Sequence, residues 1–293
     1  KAREHLEAIR WPGGPVCPHC GVEGEATLLK GKTHRPGMYQ CNACREPFSV
    51  TVGTVMERSH IPLNKWVLGF HLMASSKKGV SAHQLHRMLG ITYKSAWFMS
   101  HRIREAMAPA KDAPRLGGAG KVVEADEMYL AKSKKTKTRG THRSAIAVVT
   151  LVERGGRVRS IPLEGNPSHE TIRPILHDHV NPRSTLHTDE ASFYKGTMAV
   201  REHESVNHSR QYSRKGRKGK VHTNSAEGYI SVFKRGMIGI YQHCEEQHLH
   251  RYLAEFDFRQ SNRAALGISD AERAALAVRG GEGKRLMYRV VSG

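Results

Sequence analysis

Three acidic residues, far apart in the chain, have the types and surroundings that metal-dependent chemistry requires. Asp126 lies inside an apolar run, Asp189 directly follows another, and Glu227 lies in an amphipathic segment. Carboxylates that gather at one point repel each other strongly unless divalent cations neutralise them. Mg²⁺ or Mn²⁺ suits such oxygen ligands and keeps waters for a substrate phosphate. Two ions roughly 4 Å apart would activate the attacking oxygen and stabilise the leaving oxygen of a phosphodiester.

Basic residues accompany the third acid. Glu227 and Lys234 are seven residues apart, so they share one face of an α-helix, with Ser231 between them. The preceding loop, RQYSRKGRKGK at 210–220, holds six Arg or Lys residues and no acid. Its DNA-binding candidates are Arg214, Lys215, Arg217 and Lys218. The alternative is an amphipathic helix whose Glu and Lys only face water.

The elements that must position these residues begin after a Pro/Gly/Ala-rich linker at 108–120. In chain order they are an antiparallel meander of strands at 122–130, 144–152 and 157–163, a helix capped by Ser168, a strand at 184–188, a helix at 191–199 and a short strand at 204–208. This is the order of a ribonuclease H-like mixed sheet in the α/β class. Because the first and fourth strands are neighbours in such a sheet, we expect Asp126 and Asp189 to converge. A helix across the sheet edge can bring Glu227 to them.

Four cysteines form two close pairs in a C-x2-C-x20-C-x2-C spacing, and they are Cys17, Cys20, Cys41 and Cys44. Each pair can form a knuckle whose thiolates point at one tetrahedral Zn²⁺, as in a zinc ribbon. Four thiolates complete the coordination shell, so we expect a structural ion that contributes folding energy. The alternatives are iron–sulfur ligation or free thiols, and His19 and His34 are possible substitute ligands.

Residues 61–107 have helical periodicity. A short helix capped by Ser81, a turn at Gly90 and a longer basic helix are typical of a helix-turn-helix. In that interpretation the residues that contact DNA are Lys94, Ser95 and Arg102. The alternative is a helical hairpin with no DNA partner.

Length and charge limit the class of protein. The 293 residues are too many for one minimal core, and the formal net charge of +20 with a pI near 10 attracts polyanions, above all nucleic acid. No run of eighteen apolar residues occurs and no signal peptide opens the chain, so we expect a cytoplasmic protein with no membrane partner. The predicted domains are the zinc ribbon with its helix at 1–58, the helix-turn-helix region at 59–113, the catalytic domain at 121–263 and a tail at 264–293.

Several long motifs in order carry a resemblance to a known family, and they are WPGGPVCPHCG, YQCNACREPFSVTVGTVM, SAWFMSHRIREAM, VEADEMY, HTDEASFY, HTNSAEGYISVFKRGMIGIYQH and HLHRYLAEFDFRQSNR. The sequence resembles the DDE-type transposases of bacterial insertion sequences, in the zinc-ribbon group with an ISXO-type transposase domain. The match covers nearly the whole chain.

The resemblance implies roles for the acids. Asp126 and Asp189 would be the first two metal-binding aspartates. Glu227 is favoured as the third ligand, because its spacing to Lys234 matches the Glu/Lys pairing of insertion-sequence transposases. Asn224, one turn earlier, is the alternative, since this group has either Asn or Glu there.

The neighbouring acids Glu124, Glu127 and Glu190 are expected not to bind metal. Glu124 shares a strand face with Asp126, whereas Glu127 points the opposite way.

The resemblance also implies a reaction and its partners. Lys234 and Arg235 would hold the phosphate next to the scissile bond. The site would cleave at each element end, exposing a 3′-OH, and then join that hydroxyl to target DNA. Binding two terminal inverted repeats implies at least a dimer on DNA, in the bacterial nucleoid. The rival hypotheses are a structure-specific nuclease on the same fold and a non-catalytic DNA-binding regulator.

Overall fold

The chain divides into two units, which we call the N-terminal unit and the sheet unit. The first comprises Lys1–Ala108 together with Ile268–Gly293, and the second comprises Pro109–Gly267. The residues that the computed structural model describes are 1–130, 145–207, 210–217 and 219–287. No helix within these ranges is both long enough and apolar enough to cross a bilayer.

The N-terminal unit begins with one helix and a small antiparallel sheet. Its elements are helix α1 (Ala2–Arg10) and strands β1 (Ala26–Leu28), β2 (Tyr39–Cys41) and β3 (Pro47–Phe48), with the strands in that order. The rings of Trp11, Tyr39 and Phe48 pack against each other, with centroids 5.7 to 5.9 Å apart. Since so small an apolar cluster stabilises little chain, a bound metal is the expected further source of folding energy.

Three helices follow this sheet, and they are α2 (Leu63–Ser75), α3 (Ala82–Leu89) and α4 (Tyr93–Met107). The side chain of Ser81 accepts a hydrogen bond from the backbone N–H of Gln84, and that of Thr92 accepts one from Ser95, so α3 and α4 are both capped. Gly90 ends α3 in the left-handed region with φ 56°. The result is a tight helix pair where the sequence predicts a helix-turn-helix.

The sheet unit contains most of the β-structure. In chain order its elements are strands β4 (Val122–Leu130), β5 (Ile146–Glu153) and β6 (Val158–Pro162), helix α5 (His169–His179), strands β7 (Thr185–Thr188), β8 (Glu202–Ser205), β9 (Arg214–Gly216) and β10 (Gly219–Val221), and helices α6 (Asn224–Gly236) and α7 (Leu249–Ser261). The five-stranded sheet has the order β6-β5-β4-β7-β8, with β6, β5 and β4 antiparallel and β7 and β8 added in parallel. This confirms the predicted ribonuclease H-like mixed sheet. Strands β9 and β10 form a separate antiparallel hairpin.

Each face of the sheet is covered by helices. Val123 and Ala125 of β4 belong to the apolar cluster that includes residues of α5. Met128 belongs to the cluster on the other face, with Phe233 of α6 and Phe256 of α7. Because strand side chains alternate between faces, the even-numbered residues of β4 lie under α6.

The connection after β7 differs from the sequence prediction. Instead of a helix over 191–199, the structure has one 3-10 turn at Ser192–Tyr194. Tyr194 is completely buried, and Gly196 forms a turn with φ 69°, a left-handed conformation that ends the helical turn. Burial of this aromatic ring and the glycine turn override the local helix propensity.

The C-terminal segment contains helix α8 (Asp270–Arg279), whose capping box is formed by Ser269 and Glu272. In the structure α8 packs on α1, α2 and α4 of the N-terminal unit. The segment set apart in the sequence as a tail therefore contributes to the core of the first unit.

Candidate functional site

The centre of the five-stranded sheet brings two of the three predicted acids together. Strands β4 and β7 run parallel, and Glu124 pairs with His187. Continuing this register by two residues puts Asp126 opposite Asp189, immediately beyond the end of β7. Both aspartates are half-buried. The sheet thus places the two carboxyl groups at adjacent strand positions.

Local hydrogen bonds orient both aspartates. Oδ1 of Asp126 accepts a hydrogen bond of 2.8 Å from the backbone N–H of Glu127, and Oδ1 of Asp189 accepts one of 3.0 Å from Ala191. The hydroxyl of Thr188 donates to the carbonyl oxygen of Asp189 at 2.6 Å. Carboxylates held in this way can present an oxygen in a fixed direction, which metal binding needs.

Glu127 directly follows Asp126 in strand β4, and burial changes the pKa of its carboxyl group strongly. Burial raises the pKa of Glu127 to about 8, and the negative charges of Asp189 and Asp126 act in the same direction, although a hydrogen bond from Tyr194 opposes them. Tyr194 Oη donates to Glu127 Oε1 on the α5 face of the sheet. A carboxyl group with this pKa is mostly neutral at pH 7, so it adds no full negative charge to the pair.

Glu227 lies in the first turn of α6, which packs on β4 and β5. The side chain is half-buried, and Thr223 donates a hydrogen bond of 3.2 Å to its Oε1. Tyr229 and Phe233 form the buried face of the helix, so Glu227 lies on the flank of that face. Asn224, the alternative third ligand, is exposed at the start of the helix.

The three acids do not reach ligand-to-ligand distance in this structure. In the described ranges, the cysteine cluster alone has three or more potential ligand atoms within 4.8 Å of each other. Mutual repulsion of carboxylates opposes a closer approach, and a divalent cation is the species that would draw them together. The structure therefore brings Asp126 and Asp189 side by side and Glu227 onto the covering helix.

The sequence reasoning missed a role for Glu124. Its carboxylate is completely buried on the α6 face, pairs with Arg154 at 2.8 Å and accepts hydrogen bonds from the first turn of α6. The signal in the sequence was an acid inside an apolar run, since a buried carboxylate requires partners.

The four clustered cysteines have the geometry of one tetrahedral metal site. The Sγ atoms of Cys17 and Cys44 are 3.6 Å apart, as are those of Cys20 and Cys41. Zn–S bonds of about 2.3 Å in a tetrahedron imply S···S separations of roughly 3.8 Å. Hydrogen bonds from the backbone N–H groups of Cys44 and Ala43 lower the pKa of the Cys41 thiol to about 7. The pKa of Cys44 is raised to about 12, because burial and the neighbouring thiols outweigh a hydrogen bond with the backbone of Glu46. Cys41 is therefore the thiol that more readily forms the thiolate that zinc binds.

Both knuckles have the same backbone form. The N–H of Gly21 donates to the carbonyl of Cys17 at 2.9 Å, and that of Arg45 donates to Cys41 at 3.1 Å. Gly21 and Arg45 both adopt positive φ, of 78° and 64°. The predicted substitute ligands, His19 and His34, are exposed.

Comparison with known proteins agrees with this geometry. Residues 115–261 match the family of the ISXO2-like transposase domain, and residues 1–46 match the transposase zinc-ribbon domain. The chain belongs to the ISXO2-like transposase family. The family predicted from the sequence motifs is therefore confirmed, and the cysteine cluster is its zinc ribbon.

The two individual proteins compared with this chain have low sequence identity to it. A protein from Halobacterium salinarum, described as an uncharacterized protein in transposable element ISH50, is 27% identical over 279 residues, which cover 89% of this chain and 90% of the relative. The crystal structure of a pre-cleavage Mos1 transpososome overlaps 72% of this chain and 74% of that chain, at 11% identity and a TM-score of 0.26, a likeness too weak to support an argument.

The basic loop of this family member is the β9–β10 hairpin. Lys215 and Arg217 are exposed, as is Lys220. Arg214 instead holds the hairpin to β8, because its Nε donates to the carbonyl of Ser205 at 2.7 Å and its Nη1 lies 3.2 Å from the carboxylate of Glu204. Lys218 lies outside the described residues.

The two cations at the end of α6 differ in exposure. Lys234 is half-buried on the same flank as Glu227. Arg235 is exposed, and its Nε donates to the carbonyl of Ser231 at 3.1 Å. The helix thus presents an acid and a cation on one flank, two turns apart.

The helix pair of the N-terminal unit keeps two of its three predicted DNA contacts at the surface. Lys94 is exposed, and Ser95 is half-buried beside Thr92. Arg102, by contrast, is only 8% exposed, and it donates to the carbonyl oxygens of Glu57 and Leu286. Its burial argues against the predicted DNA contact, because the guanidinium is already used inside the unit.

Proposed function

We propose that this chain is a DDE-type DNA transposase that binds insertion-sequence ends, cleaves phosphodiester bonds with two divalent metal ions and joins the 3′-OH ends to target DNA. The observation that carries the proposal is the parallel register of β4 and β7, which sets Asp126 beside Asp189 under the helix that bears Glu227. Membership of a transposase family supports the same reaction class.

The donor set fits a hard divalent cation. Asp126, Asp189 and Glu227 offer carboxylate oxygens, which Mg²⁺ and Mn²⁺ prefer over nitrogen and sulfur. When bound there, the ions would neutralise charge on the scissile phosphate and make the attacking oxygen more nucleophilic. We propose that Glu227 rather than Asn224 is the third ligand, because Glu227 is a half-buried carboxylate on the helix that packs on β4, whereas Asn224 is exposed.

The chain's cations would bind and orient the DNA. Lys234 lies two turns from Glu227 on one flank of α6, where an ammonium group can hold the phosphate next to the scissile bond, and Arg235 can bind the neighbouring phosphate. Lys215 and Arg217 on the hairpin, with Lys94 and Ser95 on α4, would contact the duplex backbone.

The proposed chemistry is two displacements at one site. Water oxygen first bonds to phosphorus at the element end and the 3′-oxygen leaves, taking a proton. The oxygen of that 3′-OH then bonds to a target phosphorus and gives up its proton, as the target's own 3′-oxygen leaves and takes a proton. One phosphodiester forms for each one broken in the second step, so joining needs no external energy source.

The proposed partners follow from this scheme. Two element ends and one target must be held together, so we infer a homodimer or a higher oligomer on DNA. A chain that acts on chromosomal and element DNA would work in the cytoplasm, at the nucleoid.

The decisive experiment incubates the full chain with Mg²⁺ and a supercoiled plasmid that bears its own element ends. The Asp126→Asn variant should keep DNA binding but lose cleavage and joining by more than about 100-fold, since even groups that only orient metal ligands contribute 10- to 100-fold. Glu190→Gln, which neutralises an exposed acid beside Asp189, should behave as the unchanged protein.

Other outcomes select the rival hypotheses. Cleavage that persists in Asp126→Asn would refute the site assignment. Cleavage without joining in the unchanged protein would point to a nuclease, and binding without cleavage would point to a regulator.

A further inference from the structure

The buried carboxylate of Glu124 caps a helix from a neighbouring strand. It accepts hydrogen bonds from the backbone N–H of Ser225 at 2.7 Å, the hydroxyl of Ser225 at 3.0 Å and the N–H of Ala226 at 3.1 Å. The helix's own N-cap residue, Thr223, makes no side-chain cap. A strand residue therefore satisfies two of the first-turn amides of α6, and its negative charge complements the helix dipole.

Arg154 braces this carboxylate and reaches the other segments of the site. Its Nε donates to Glu124 at 2.9 Å, and its Nη2 lies 3.2 Å from Nδ1 of His187 on β7. The same guanidinium donates to the carbonyl oxygens of Lys220 and His222, at 3.2 and 3.3 Å. One ion pair thus contacts β4, β7 and the segment that leads into α6.

Three residues of this network, Glu124, His187 and Ser225, each lie two residues before a proposed metal ligand. Glu124 precedes Asp126 by two residues, which is about 7 Å along a strand. Ser225 precedes Glu227 by two residues, which is about 3 Å along a helix axis. His187 on β7, which Arg154 contacts, precedes Asp189 by the same interval. A shift of the ion pair would therefore move the ligands relative to each other.

We propose that Glu124 is a positioning residue for the metal site: its carboxylate, braced by Arg154, fixes the first turn of α6 against β4 and β7 and so sets the separation of the three proposed ligands. The inference rests on the proposed function. Groups that orient metal ligands without touching the metal typically change metal affinity 10- to 100-fold when removed. Removing a buried ion pair that has a purely structural role would change the stability of the protein and leave its metal affinity unchanged.

The test measures Mn²⁺ binding to the zinc-loaded full chain, without DNA, by electron paramagnetic resonance of free Mn²⁺. Glu124→Gln should weaken Mn²⁺ binding about 10- to 100-fold, and Glu124→Ala should weaken it further. The matched control is Glu255→Gln, because Glu255 of α7 is also completely buried and paired with an arginine, Arg259. That variant should lower the unfolding temperature and leave the Mn²⁺ affinity unchanged. Should Glu124→Ala fail to fold by circular dichroism, the glutamine variant carries the comparison.

The outcomes separate this inference from the proposed function. If Asp126→Asn abolishes Mn²⁺ binding while Glu124→Gln binds with unchanged affinity, Glu124 has only a structural role and the inference is overturned. If Asp126→Asn itself binds Mn²⁺ as well as the unchanged protein, the proposed metal site is wrong and the inference falls with it.

Discussion

Three acidic residues of strand β4 differ in the environment of their carboxyl groups. Glu124 is completely buried in an ion pair, Asp126 is half-buried beside Asp189, and Glu127 lies on the opposite face with a pKa that burial raises to about 8. Residue type is the same or nearly so in all three. Solvent access and partners decide which of them can act as an anionic metal ligand near neutral pH.

The identity of the third ligand is a prediction at this scale. Glu227→Gln should reduce Mg²⁺-dependent cleavage of an element-end plasmid by more than about 100-fold, because a neutral amide oxygen binds a divalent cation more weakly than a carboxylate does. Asn224→Ala, which changes an exposed side chain one turn earlier, should stay near the rate of the unchanged protein. Measured cleavage rates in the reverse order would assign the role to Asn224.

At the scale of elements, helix α6 and the hairpin before it differ in how much of their surface is buried. The helix buries Tyr229, Ile230 and Phe233 against the sheet and presents Glu227 and Lys234 on its flank. The hairpin buries little and directs cations outwards. Apolar packing holds the helix in one position against the sheet. The exposed cations of the hairpin are suited to attracting a polyanion without requiring one fixed position.

The hairpin prediction concerns salt. Changing Lys215, Arg217 and Lys220 to Gln should weaken DNA binding independently of sequence and reduce the slope of log affinity against log salt by about 2 to 3, since each phosphate contact contributes about 0.9. The measurement is a salt titration with duplexes of unrelated sequence.

The matched control changes three exposed cations elsewhere in the sheet unit, Arg173, Arg183 and Lys195, to Gln. It should leave most of the slope intact. Equal losses in the two triple variants would mean that the overall charge, and not the hairpin, sets the affinity.

At the scale of the whole molecule, one chain combines a unit that contains the zinc ribbon and a unit built on the five-stranded sheet. The net charge of +20 for the whole chain is suited to a nucleic-acid partner. The ribbon has only a small aromatic cluster around Trp11, whereas the sheet has an apolar cluster on each face. Removal of zinc should therefore affect the two units differently.

Chelation of zinc should unfold residues 11–50 and leave the Mn²⁺ affinity of the proposed metal ligands unchanged, because we expect the zinc ion to supply the ribbon's folding energy. Limited proteolysis with mass spectrometry would locate the new cleavage sites, and tryptophan fluorescence, to which Trp11 contributes together with Trp66 and Trp97, would follow the change. Cys41→Ser should mimic chelation, whereas Cys244→Ser, outside the cluster, should retain one zinc per chain. Unchanged protease resistance of 11–50 after chelation would exclude a structural role for the ion.

The family, the fold and the cysteine cluster were predictable because their signals are local. The spacing of Cys17 to Cys44, the apolar runs around Asp126 and Asp189 and the motif order are all read along the chain. Alternation within each strand also predicted that Glu124 and Asp126 share a face. The placement of Glu227 on a helix followed from the same kind of periodicity.

Only the tertiary structure decided which side chains are buried by segments that are distant in the sequence. The sequence predicts that Arg102 is a solvent-exposed cation of a basic helix, but the side chain is buried and donates to the carbonyl oxygens of Leu286 and Glu57. The sequence predicts that Glu124 does not bind metal and indicates no other role for it, but in the structure it caps a helix much later in the chain, with its bond to Ser225 spanning 101 residues. A sequence pattern records the period of its own element, whereas burial and capping depend on the register between distant elements, which exists only once they pack.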